Sequence, residues 1–338
     1  MNYIFINSNK MFFLFILMIS TMISISSNSW FGCWIGLEIN LLSFIPLISN
    51  SKNLLSSEAS LKYFLTQSIA SINLLFLIIM MSFFKQLENY NIMMLLMNLP
   101  LLMKMGSAPF HFWFPNLIEG LSWMNAYIIM TWQKITPLIL ISYNYNFYLI
   151  SFIAILNAFV GAIGGFNQMS LRKILTFSSI NNLSWMLISI MISENLWMLY
   201  FFIYCILNFM LCYFFNLMNI FYINQIYFYN MKNFYKILLA MNLFSLGGLP
   251  PFMGFLSKWL VINFLINNNM LMLTFLMIMS SLIMLYYYIR IMYSTFLINY
   301  MKLKWFNFKI KNNFNKYYFI CMYMFSFLGI PISTLTFF

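Results

Sequence analysis

Apolar runs of about twenty residues follow one another from Met11 onward, separated only by short polar gaps. A helix needs roughly 20 apolar residues to cross the hydrocarbon of a bilayer. By that rule the chain divides into eleven spans: 11–27, 30–49, 60–84, 91–114, 122–143, 147–166, 172–192, 196–221, 235–267, 270–297 and 317–337. Little is left between them, so no soluble domain is expected. In lipid each backbone N–H and C=O must be satisfied within the protein, and long apolar runs are therefore predicted as helices. The expected class is an all-α polytopic membrane protein. Composition agrees, with 63% hydrophobic and 7% charged residues, against about 45–50% and about 25% in soluble domains.

The charges that remain fall into two sets. The first marks the loops. Lys10, Lys52, Arg172, Lys173, Lys232, Lys236 and the cluster Lys302, Lys304, Lys309, Lys311 and Lys316 all lie on one side of the membrane in an eleven-span chain, and the other side offers Lys85. By the positive-inside rule the N-terminus faces the side of synthesis and the C-terminus the opposite side. The net charge of +12 is thus a topology signal and does not point to nucleic acid. Met11–Ser27 lacks a clear n-region and an A-x-A cleavage site, so it is expected to remain as a helix. The 40 Phe, 31 Met and 22 Tyr, with two valines (Val160, Val261) and two arginines (Arg172, Arg290), suit an AT-rich organellar genome.

The second set is costly. Glu38, Lys104, Lys134 and Lys258 sit near the middle of spans, where a charge costs roughly 2.5–3.5 kcal/mol on insertion scales. Ionisable residues at that depth mark ion or proton pathways, and burial disfavours the charged form of an amine, so a buried lysine can alternate between protonated and neutral. One carboxylate followed by three lysines has the outline of a proton relay. The rival explanations are a structural Glu38–Lys104 ion pair and charges that fix helix packing alone. Lys62 and Arg290 lie near span ends, where snorkelling to the interface accounts for them. His111, among Phe110, Phe112, Trp113 and Phe114, fits proton transfer and equally a packed histidine. The cysteines Cys33, Cys205, Cys212 and Cys321 show no C-x-x-C spacing, so neither a disulfide framework nor a metal site is expected. There is also no glycine-rich phosphate loop and no nucleophile–base set. The aromatics are expected at lipid and interface, and the methionines as core filler.

Two spans are interrupted. Span four reads LLMKMGSAPFHFW (Leu101–Trp113), with Gly106 and Pro109 inside; span nine reads LFSLGGLPPFMGFLSKW (Leu243–Trp259), with Gly247, Gly248, Pro250, Pro251 and Gly254. Proline removes a helix hydrogen bond and glycine weakens the turn beside it. Both helices are expected to break at mid-membrane, where protein or water must satisfy the freed backbone. They hold the fourth place in each of two five-helix sets, 11–143 and 147–297. Five is odd, so the sets are expected as inverted repeats, a layout that points to a transport site. A C-terminal helix, 317–337, completes a single transmembrane domain over 1–338.

The segments SNSWFGCWIGLEINLLSFIPL (Ser27–Leu47), EASLKYFLTQ (Glu58–Gln67), LLMKMGSAPFHFWFP (Leu101–Pro115), MTWQKITPL (Met130–Leu138), QMSLRKILTFSSINNLSWML (Gln168–Leu187) and NLFSLGGLPPFMGFLSKW (Asn242–Trp259) together resemble the chain 2 family of mitochondrial NADH–ubiquinone oxidoreductases, its insect members most of all. The likeness runs over nearly the whole chain and is weakest in the last 70 residues. It implies an antiporter-like subunit in the membrane arm of respiratory complex I, in the mitochondrial inner membrane, with its N-terminus on the matrix side and its C-terminus on the intermembrane-space side. It implies the shorter, animal form of a family whose bacterial members carry three more N-terminal helices. Glu38 takes the place of the glutamate paired with Lys104, Lys134 that of the central relay lysine, and Lys258 that of the lysine at the second broken helix. NADH, flavin, iron–sulfur clusters and ubiquinone are expected in partner subunits, with no cofactor, metal or redox site in this chain. The expected partners are other membrane-arm subunits, chains 4 and 4L among them, and membrane lipids. A standalone cation/proton antiporter is the alternative function.

Overall fold

The computed structural model describes residues 8–50, 53–83, 90–228 and 233–297, together with 321, 324–327, 329 and 331. Every regular element among them is a helix. They are α1 (Ser8–Ser26), α2 (Trp30–Ile48), α3 (Leu54–Phe83), α4 (Tyr90–Met105), α5 (Trp113–Ile118), α6 (Trp123–Met130), α7 (Trp132–Tyr143), α8 (Phe147–Gly164), α9 (Leu171–Ile192), α10 (Glu194–Met218), α11 (Ile223–Phe228), α12 (Asn233–Gly247), α13 (Met253–Asn267) and α14 (Leu271–Leu297). Seven of these, α1, α2, α3, α8, α9, α10 and α14, are long and apolar enough to cross a membrane. The three remaining apolar stretches are each divided into two shorter helices: α4 with α5, α6 with α7, and α12 with α13. The stretch 317–337 lies largely outside the described residues, as do Lys52, Lys85, Lys232 and the lysines from 302 to 316, on which the expected sidedness rests.

The chain forms two compact units, Met1–Ile153 and Ala154–Phe338, divided within α8. In the first, α1 and α2 form a close hairpin. Gly36 stands so near Ser24 that a Cβ there would lie 2.7 Å from the serine Cβ, the small-residue contact that lets helices approach in lipid. Buried hydroxyls on α1 satisfy themselves by bonding back three residues, as Ser20 Oγ does to Leu17 O at 2.8 Å and Ser24 Oγ to Thr21 O at 2.8 Å. Ser29 begins α2 by accepting a hydrogen bond from Gly32 N at 3.2 Å, which satisfies one of the free amides of the first turn. Apolar side chains on α1 and α3 such as Phe12, Phe15, Leu61 and Ile72 stay exposed, as expected of lipid-facing surface.

The core of the second unit is α9. It is apolar enough to span, yet 94% of its apolar window is buried, and the buried stretch includes Ser178, Ser179, Asn181, Asn182, Ser184 and Ser189. Polar side chains on a spanning helix are tolerated where they find partners inside the bundle. Asn181 Nδ2 donates to Ala158 O of α8 at 3.2 Å. Beside it, a Cβ on Gly161 would come within 2.6 Å of Asn181 N, so the two backbones meet directly.

Candidate functional site

Each unit contains a helix that stops short in the same way. In the first, α4 runs to Met105 and Gly106 takes φ +71, a left-handed conformation open to glycine at little cost. Gly106 N then donates to Met103 O at 3.2 Å and Ser107 N to Leu102 O at 3.1 Å. In the second, α12 runs to Gly247 and Gly248 takes φ +84. Gly248 N donates to Ser245 O at 3.1 Å and Leu249 N to Phe244 O at 3.2 Å. Both endings are Schellman motifs, which satisfy two of the last carbonyls and leave others to find partners elsewhere. Pro109 follows the first ending, and Pro250 and Pro251 the second, where they keep the helix from resuming at once.

The carbonyls left over are served by side chains. Gln67 Nε2 donates to Lys104 O at 3.2 Å. In the second unit, Lys258 reaches back from α13 and its Nζ donates to Leu246 O at 3.3 Å and to Gly247 O at 2.8 Å. That Nζ also stands 5.8 Å from the ring centre of Trp185. Lys258 is 5% exposed and Lys104 7% exposed, so neither snorkels.

Lys104 lies in the last turn of α4. Glu38, half-buried on α2, is near enough to act on it electrostatically; among the described residues the two do not meet in a direct ion pair. Lys104 instead lines a cavity of about 10 Å³ with Asn40, Tyr63, Gln67, Gln133 and Thr136. That volume is close to the ~10–15 Å³ needed to admit one water. The amides are linked across helices: Gln133 Nε2 donates to Asn40 Oδ1 at 3.0 Å, and Tyr63 OH donates to Gln133 Oε1 at 3.4 Å. Lys258 lines a second cavity of about 10 Å³, with Asn182, Tyr200, Tyr204, Ser245 and Ser257.

Lys134 is 1% exposed. Its Nζ lies 5.2 Å from the centre of the Phe114 ring, at the start of α5. Its helix is itself interrupted: Thr131, with φ −120 and ψ −71, separates α6 from α7. Pro137 within α7 lacks an N–H, which frees the carbonyl of Gln133 one turn back. His111 falls in a short 3-10 turn, Phe110–Phe112, after the first break, its ring 4.2 Å from that of Phe112. It lines neither lysine cavity.

The two side chains near span ends both have partners. Lys62 pairs with Glu58 one turn back. Arg290 donates through Nη1 to Phe166 O and through Nη2 to Gln168 O at 2.7 Å, so it ties α14 to the loop after α8. A planar guanidinium can serve two carbonyls at once, and the loop presents two. Sequence reasoning also missed Asn40, Gln67, Gln133, Asn182 and Tyr200. Uncharged polar residues inside apolar spans were the available signal. Lys236, read as a loop charge, is 7% exposed.

The transmembrane-domain model of the NADH:quinone oxidoreductase/Mrp antiporter family matches residues 27–284. The chain is 53% identical over 325 residues to NADH-ubiquinone oxidoreductase chain 2 of Anopheles gambiae, covering 94% of each chain. It is 50% identical over 333 residues to the same chain of Aedes aegypti, covering 97% of each. A chain in a structure of respiratory complex I from Thermus thermophilus with bound aureothin has a similar fold, with TM-score 0.83 at 18% identity, over 95% of this chain and 78% of that one.

Proposed function

The chain belongs to the NADH-ubiquinone oxidoreductase chain 2 family, within the NADH:quinone oxidoreductase/Mrp antiporter membrane proteins, and from that premise we propose that its buried lysines carry the proton-translocating step coupled to NADH:ubiquinone electron transfer. It is an integral membrane subunit of respiratory complex I, assembled with other membrane subunits of that complex. The observation that carries the reading is the repeated device: in each unit a buried lysine beside a Schellman-ended helix break, on a cavity of about 10 Å³. Keeping an ammonium inside an apolar helix is costly, and a charge retained at that cost points to a functional use.

In the proposed mechanism, redox chemistry in partner subunits alters the interaction between Glu38 and Lys104. Lys104, Lys134 and Lys258 then take up and release protons in turn, each next to polar side chains or broken backbone that accept water. NADH, flavin, iron–sulfur clusters and ubiquinone belong to the partners in this reading, with chains 4 and 4L as membrane neighbours. The full topology is eleven spans: the seven long helices, the three divided ones, and 317–337. The first ten form two inverted five-helix repeats. The N-terminus faces the mitochondrial matrix and the C-terminus the intermembrane space.

Membranes solubilised in mild detergent and run on a native gel test the assignment. Co-migration of this chain with a very large band that oxidises NADH in the gel is the expected result. Migration as a small species without that activity would favour a freestanding cation/proton antiporter; the family's description also names the Mrp antiporter.

A further inference from the structure

We propose that Asn182 and Tyr200 build a one-water site against Lys258 and act as the positioning residues for proton transfer at that lysine, an inference that rests on the proton-relay reading above. The Lys258 ammonium has three donors. Two go to the carbonyls of Leu246 and Gly247, and the third is left for the cavity that Lys258 lines. Around that cavity most donors are already committed. Ser245 Oγ donates to Asn242 O at 2.8 Å, Ser257 Oγ donates to Gly254 O at 3.0 Å, and Tyr204 is engaged with Ser179 and Asn208. Tyr200 OH donates to Asn182 Oδ1 at 3.0 Å.

This last bond orients the Asn182 amide, and it leaves Nδ2 buried with no partner in the protein. Asn182 is 3% exposed and Tyr200 3% exposed. A buried amide donor left unpaired is costly, and a water in that space would remove the cost. A cavity water needs two to four polar partners. Here it accepts from Lys258 Nζ and Asn182 Nδ2 and donates to the free lone pairs of Tyr200 and Ser257. When the ammonium gives up its proton, an N–H bond breaks as an O–H bond forms on the water, and one of the water's other O–H bonds breaks as its proton passes to a neighbouring water of the relay path, where the new O–H bond forms. The water is regenerated and one proton has advanced. Neither Asn182 nor Tyr200 ionises; they hold the water on the lysine.

The test uses the intact complex in sealed membrane vesicles, measuring protons translocated per NADH oxidised. Tyr200→Phe removes the hydroxyl and keeps the ring, and Asn182→Leu removes the amide at similar size. Both are expected to lower proton translocation roughly tenfold, the cost of a misplaced reacting group, while NADH oxidation in the presence of an uncoupler stays unchanged. A structural role would depress both rates together. If Lys258→Met abolishes translocation while the two variants leave it intact, the water site is wrong and the relay stands. If Lys258→Met also leaves it intact, the relay reading fails as well. Should either variant fail to assemble, a density map of the unaltered complex decides: an ordered water within hydrogen-bond distance of Lys258 Nζ and Asn182 Nδ2 supports the site, and a dry cavity overturns it.

Discussion

Lys258 Nζ donates to the carbonyl oxygen of Gly247 across 2.8 Å, so the buried cation closes the helix end that the Gly-Gly-x-Pro-Pro sequence leaves open. One side chain therefore caps the broken helix and, in the proposed relay, also offers a proton. Lys258→Met keeps the length and removes both. It is expected to abolish proton translocation and to cost about 1–3 kcal/mol locally through the unsatisfied carbonyl. Lys258→Arg retains donors for both carbonyls but not a proton that can leave; it is expected to keep assembly, read on a native gel, and lose translocation.

Gly248 and Gly254 are sensitive for different reasons. At Gly248 a Cβ would approach Lys258 Cδ at 2.8 Å in a backbone with φ +84, so Gly248→Ala costs roughly 1–2 kcal/mol and displaces a flexible side chain. At Gly254 a Cβ would lie 1.7 Å from Ser245 O, which is backbone. Gly254→Ala is expected to abolish accumulation of the assembled complex. Gly248→Ala should lower translocation in a complex that still forms. Equal assembly of the two variants would refute the contrast.

Lys134 makes the cleanest separation of transport from structure. It is 1% exposed, with the Phe114 ring 5.2 Å from its Nζ. Lys134→Met fills a similar volume. Proton translocation is expected to fall with assembly retained. Loss of the complex on a native gel would instead assign Lys134 to packing.

The Gln133–Asn40 bond joins α7 to α2 at the edge of the Lys104 cavity. Asn40→Leu leaves Gln133 Nε2, on a half-buried side chain, without its acceptor, at up to about 1–3 kcal/mol. The expected result is a complex that loses NADH-linked translocation at lower temperature than the parent. The double variant Asn40→Leu, Gln133→Leu should regain part of that stability without regaining translocation. A thermal-inactivation series on vesicles reads both.

Arg290 anchors the loop after α8 through two carbonyls. Arg290→Lys places a single ammonium where a fork is needed, and it is expected to lower the inactivation temperature with little change in the proton-to-NADH ratio. A changed ratio at unchanged stability would move Arg290 into the transport path.

The helices themselves were legible in the amino-acid order because lipid leaves a long apolar run one way to satisfy its backbone. The breaks in spans four and nine were legible too, since Gly106, Gly248 and the prolines beside them carry their backbone preferences wherever they are placed. The break at Thr131 was not: threonine has no such preference, and only the packing around α6 and α7 places it there. The partners of Arg290 were not legible for a related reason. Position near a span end favours snorkelling, but the loop carbonyls of Phe166 and Gln168 come from more than a hundred residues away.

Sequence alone thus determined that the described chain is helical and apolar, where two of its helices break, and that Lys104, Lys134 and Lys258 sit inside apolar segments. Tertiary structure decided what those charges touch. Glu38 acts on Lys104 without a direct ion pair, Lys258 turns to the carbonyls of its own broken helix, and Asn40, Gln133, Asn182 and Tyr200 become partners at the lysine cavities. The physical reason is range. Hydrophobicity and backbone preference act within a segment and are written along it, whereas a hydrogen bond needs its partner within about 3 Å, and for these groups the partner arrives only when distant helices pack.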